Sequence, residues 1–80
     1  MARYYFDMRD GQGLFADEEG LECPDLDAVQ KEAARSLADM ARDSIYEAAD
    51  AQIHRMTIEV RDGSGPVMKV AFLFEVTRQN

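Results

Sequence analysis

Residues 55–76 read RMTIEVRDGSGPVMKVAFLFEV. The fold turns on whether RDGSG in their middle, residues 61–65, is a bend between strands or a loop built to hold a ligand. Before it, Met56, Ile58 and Val60 alternate with Thr57, Glu59 and Arg61. After it, Met68, Val70, Phe72, Phe74 and Val76 alternate with Lys69, Ala71, Leu73, Glu75 and Thr77. A period of two places each set on one face of a strand. Asp-Gly is a favoured hairpin corner because both residues tolerate φ > 0, and Pro66 sits just past the turn, where a missing backbone donor does little harm. The stretch is expected to be a hairpin with strands near 55–61 and 67–77.

The same phrase occurs earlier as RDGQG, residues 9–13. Ahead of it, RYYFDMR sets Tyr4, Phe6 and Met8 against Arg3, Tyr5, Asp7 and Arg9, and behind it Leu14, Phe15 and Ala16 resume apolar character. A second hairpin follows, with strands near 3–9 and 13–17. A calcium loop needs a spaced series of oxygen ligands, and the acids near this phrase are only Asp7 and Asp10, followed by Gln12. A phosphate cradle needs a glycine-rich turn opening a helix, whereas both phrases lead into strands. Architecture is the better reading of the repeat.

Between the hairpins, Asp17-Glu18-Glu19-Gly20 reads as a polar turn and Cys23-Pro24-Asp25 as a helix entrance. The residue before proline avoids the α region, and Asp25 can accept hydrogen bonds from first-turn amides. Leu26, Val29, Ala33, Leu37, Met40, Ala41, Ser44, Ile45 and Ala48 then step by threes and fours, so one helix is expected near 26–48. The order is β-β-α-β-β, and the fold class is α+β: a two-layer domain, residues 1–80, with a four-stranded, mainly antiparallel sheet and one helix on one face. Adjacent first and third strands give the order 2-1-3-4. Pattern alone also admits parallel pairing of the first and fourth strands.

Composition narrows function. Eighty residues, 46% of them hydrophobic, suffice for a single core. A net charge of −7 opposes binding to phosphate backbones, so no nucleic-acid partner is expected. No apolar run approaches the roughly 20 residues that span a bilayer, so no membrane span is expected. One cysteine and no leader-like opening point to the cytoplasm. With Cys23 and His54 each the sole residue of its type, no zinc site and no catalytic set is expected, and no cofactor or metal. The acidic stretch Asp17, Glu18, Glu19, Glu22, Asp25 and Asp27 could hold a divalent cation or meet a basic partner, and the helix start and a solvated turn account for part of it.

If the helix covers the face carrying Tyr4, Phe6, Met8, Ile58, Val70, Phe72 and Phe74, the far face carries Tyr5, Ala71 and Leu73 with Phe15 or Leu14. Apolar residues on adjacent strands favour a partner, most simply a second copy of the chain. Tyr5, Phe15, Ala71 and Leu73 are therefore the candidate interface. The expected function is a non-enzymatic protein-interaction domain, homodimeric, acidic and cytoplasmic. The alternative is an acidic antitoxin-like or inhibitor module masking a basic partner.

Taken together, RYYFDMRDG, DEEG followed by L-x-C-P-D-L, the helical A-x-x-x-L-A-D-M-A-R-D and IEVRDGSGPV resemble a family of short, uncharacterised alphaproteobacterial proteins, domain of unknown function 6894. The resemblance runs from Arg3 to Val76. It implies a small cytoplasmic bacterial domain and brings no catalytic residue to carry over. Where the family's usual residue before Pro24 is apolar, this chain has Cys23, which weakens any case for a functional thiol.

Overall fold

The computed structural model describes residues 1–11, 13–44 and 53–79. Its elements are β1 (Ala2–Asp10), β2 (Gly13–Phe15), β3 (Leu21–Cys23), α1 (Leu26–Ser44), β4 (Ile53–Asp62) and β5 (Gly65–Glu75). All pairings are antiparallel, along the path β2-β1-β4-β5, with β3 also paired to β1. Among the described residues the fold is thus α+β with one helix and a five-stranded sheet. Parallel pairing of the first and last strands does not occur.

The expected four strands are corrected to five. Residues 21–23, of which the sequence reading places only Cys23, at the helix entrance, run back along the start of β1, with Ala2 opposite Cys23 and Tyr4 opposite Leu21. Three residues are too few for alternation to register as a strand signal. The second strand stops at Phe15 rather than continuing to 17; beyond it Asp17 meets β1 through side-chain bonds, its carboxylate accepting from the Phe6 amide and its amide donating to the Asp7 carboxylate, in place of backbone pairing. The helix end expected near residue 48 lies outside the described residues.

Turn chemistry is also redistributed. Positive φ falls on Gly13 (142°) and Gly65 (134°), the second glycine of each phrase, and not on Gly11 or Gly63. In the second turn the Asp62 carboxylate accepts hydrogen bonds from the Ser64 and Gly65 amides at 2.7 and 3.1 Å. This local bond closes the corner without a left-handed residue beside Asp62. The register shift at Val60/Arg61 then leaves Pro66 opposite Arg61.

Asp25 caps α1: its Oδ1 accepts from the Ala28 amide at 2.9 Å, and its carbonyl from Val29 at 3.2 Å. Asp27 in the first turn and Arg42 in the last agree in sign with the helix dipole. Val29, Ala33, Leu37 and Ala41, four residues apart, form the buried stripe. They close on Met56, Ile58 and Val60 of β4, with Tyr4, Phe6, Met68, Val70 and Phe72 packed around them. β4, flanked by β1 and β5 and carrying the fully buried Met56, Ile58 and Val60, lies at the centre of the core.

Candidate functional site

The face of the sheet away from α1 carries a cluster of paired charges. Directly opposed residues of an antiparallel pair share a face, so Tyr5 and Arg61, Asp7 and Glu59, and Arg9 and Thr57 form three rungs on this side of β1 and β4. The middle rung sets two carboxylates against each other. Each is compensated along the diagonal, Asp7 by Arg61 and Glu59 by Arg9, both at 2.8 Å.

Arg61 does more than balance charge. Its Nε donates to Asp7 Oδ2 at 2.8 Å, and its Nη2 donates to the Asp17 carbonyl at 2.9 Å and more distantly to Asp7 Oδ1 at 3.4 Å. The guanidinium lies 4.5 Å from the centroid of the Tyr5 ring, within cation–π range. The hydrogen bond to Asp7 raises the Arg61 pKa, outweighing burial, with the charge of Asp7 adding to it.

Asp17 completes the cluster. Its Oδ2 accepts from the Phe6 amide at 3.1 Å, in the gap along β1 between its pairings with β3 and β2. Its Oδ1 accepts from the Glu19 and Gly20 amides at 3.0 and 3.2 Å, and its own amide donates to Asp7 Oδ1 at 2.8 Å. Burial pushes its carboxyl pKa up, but the three amides and Arg61 outweigh that and hold it below the ordinary value. Gly20, at φ 74°, brings the chain back so close that a Cβ there would lie 2.9 Å from Arg3 Cγ and from Tyr5 Cε1. Arg3 closes the loop, its Nη1 donating to the Glu19 carbonyl at 2.8 Å.

Chemically, this cluster is engaged in hydrogen bonds that hold the loop. A general acid needs a proton it can release, and the forces on Asp17 keep it ionised. Every oxygen of the Asp7 and Asp17 carboxylates already accepts from a backbone or guanidinium donor, and a nucleophilic or metal-binding role would have to compete with those bonds. The arrangement staples residues 16–20 to the sheet, replacing strand pairing where β1 lacks a neighbour. Sequence reading missed it. The only signals were an acid amid the apolar alternation of β1, an Asp three residues before a glycine, and an arginine opening the second RDG phrase.

The residues singled out from the sequence are dispersed. Ala71 and Leu73 are exposed on the face away from α1. Tyr5 shares that face but lies under Arg61. Phe15 is opposite Met8 and so lies on the helix side, 52% exposed, while Leu14, opposite Arg9, takes the place on the far face. Cys23 is buried, and burial, together with the charges of Glu32 and Asp25, pushes its thiol pKa up. His54 lies on β4 with its Nε2 buried and without a hydrogen-bond partner among the described residues. Among those residues no three His, Cys, Asp or Glu side chains are grouped to hold a metal, and no helix is long and apolar enough to cross a membrane.

A helix over an antiparallel sheet, with its polar cluster spent on holding a loop, defines a small α+β domain. The chain belongs to the family described as domain of unknown function (DUF6894), whose model matches residues 3–73. No curated protein and no solved structure matches it.

Proposed function

We propose that this chain is a non-enzymatic protein-interaction domain of the bacterial cytoplasm that works as a homodimer. One observation carries the reading: the sheet face away from α1 exposes Leu14, Ile53 and Leu73, at 49, 60 and 52%, beside exposed Ala71. Ile53 stands opposite Glu75, Leu73 opposite Arg55 and Ala71 opposite Thr57, so they form a patch on the β4–β5 end of the sheet. Apolar side chains grouped on adjacent strands are what a partner covers. The polar groups that could have supported catalysis on this face, Asp7, Asp17 and Arg61, are engaged in holding the loop. Light scattering during gel filtration tests the reading. Dimer mass at micromolar concentration, lost in Leu73→Glu, is expected. Monomer mass at high micromolar concentration overturns it.

A second reading, an acidic inhibitor or antitoxin-like module masking a basic partner, draws on the net charge of −7 and on exposed Glu18, Glu19, Glu22 and Asp27. Charge on this scale steers association with basic surfaces. Affinity capture dominated by one basic nuclease or DNA-binding protein, abolished by reversing those four acids, would favour it over self-association.

A further inference from the structure

Among the described residues β5 pairs with β4 on one side only, and its eleven residues form the longest strand. Such an edge exposes a row of backbone donors and acceptors, the usual template for pairing with another strand. Pro66 blunts one end, but residues 70–74 (VAFLF) contain neither charge nor proline. The strand carries two charges, Lys69 and Glu75, both exposed. Neither has an ion-pair partner among the described residues: Glu59, opposite Lys69, is bound to Arg9.

We propose that β5 pairs antiparallel with β5 of a second copy, about a two-fold axis through Phe72 and normal to the sheet. The proposal rests on the homodimer reading but places the seam at the strand edge, so that the far-face apolar patches of the two copies meet side by side and not face to face. An axis normal to the sheet keeps like faces together, and opposed residues share a face, so every allowed register is centred on a residue. The register centred on Phe72 is the one that sets Lys69 opposite the partner's Glu75. By symmetry it does so twice. Ala71 then stands opposite the partner's Leu73 on the far face, joining the two exposed patches. Val70 stands opposite the partner's Phe74 on the helix side, extending the core across the seam. Centred on Val70 or Ala71, Lys69 would instead meet Ala71 or Leu73 and Glu75 would find no cation.

Charge reversal and directed crosslinking test the register. Lys69→Glu and Glu75→Lys each put like charges opposite each other at both ends of the seam, and each is expected to raise the dimer Kd about tenfold at low salt. The double variant K69E/E75K restores the pairing and returns the Kd to near wild type. In parallel, Ala71→Cys and Leu73→Cys chains are mixed and oxidised. Directly opposed cysteines have the Cα separation a disulfide needs, so the mixed dimer is expected to form faster than either homodimer. Cys23, buried at 4% exposure, does not compete. A dimer with no charge rescue and no preference for the mixed disulfide overturns the register and leaves the homodimer standing. Monomer at high micromolar concentration overturns both.

Discussion

Removing the Asp17 carboxylate isolates the staple that holds residues 16–20 to β1. In Asp17→Ala the Phe6, Glu19 and Gly20 amides lose their acceptor. The Glu19 bond is exposed, so water replaces it at little cost, whereas the Phe6 and Gly20 bonds are part-buried. A part-buried donor left unsatisfied costs about 1–2 kcal/mol, giving a total of about 2–4 kcal/mol. A chain of this length is stabilised by about 4–12 kcal/mol in all, so the substitution removes a large share. The assay is urea denaturation followed by circular dichroism, where the midpoint should fall while the slope holds. Heating should show a Tm lower by about 10–25 °C. Amide exchange localises the effect: Phe6 should lose protection more than Ile58, at the centre of the core. A midpoint within about 0.5 kcal/mol of wild type, with Phe6 protection unchanged, would refute the view that this side chain substitutes for strand pairing.

Three further outcomes follow from the same geometry. Gly20→Ala should cost about 2–4 kcal/mol, because a left-handed residue with a Cβ would press on Arg3, Tyr5 and the Tyr4 carbonyl; Gly63→Ala, with open space and no positive φ, should be neutral or stabilise by about 0.4–1 kcal/mol, as urea midpoints will show. Because the folded-state pKa of Asp17 is lowered, its contribution is whole above the unfolded value near 3.8 and lost as pH falls through the folded value. The stability gap between wild type and Asp17→Asn should therefore be constant at neutral pH and close in acid. Burial first, then Glu32 and Asp25, hold the Cys23 thiol protonated, so native protein should react with a thiol reagent at least about a hundredfold more slowly than urea-unfolded protein, with local opening setting the rate.

The alternation in residues 55–76 specified β4 and β5 and the face of the residues within them, because a period of two is local and survives without knowledge of the partner strand; it overran the end of β5, which stops at Glu75 and not at the expected 77. Likewise Asp25 ahead of the three-four spacing of Val29, Ala33, Leu37 and Ala41 marked the helix start and its buried stripe. The doubled Arg-Asp-Gly phrase announced two corners. It did not say which glycine would turn left-handed, since that depends on where the Asp62 carboxylate finds its amides. Nor did it reveal the fifth strand, whose three residues are held by pairing with β1 and not by their own pattern.

The cluster of Asp7, Asp17, Arg61 and Tyr5 belongs wholly to tertiary structure. Arg61 and Asp7 are 54 positions apart in the chain, and only the register of β1 on β4 brings them within hydrogen-bonding reach. In sequence, Asp17 is one acid among several in a polar turn. Its distinction is that the Phe6 amide, deprived of a neighbouring strand, had to find an acceptor. Local pattern thus chose the elements and their faces, while the long-range demand that half-hidden polar groups be paired decided what the charged residues do.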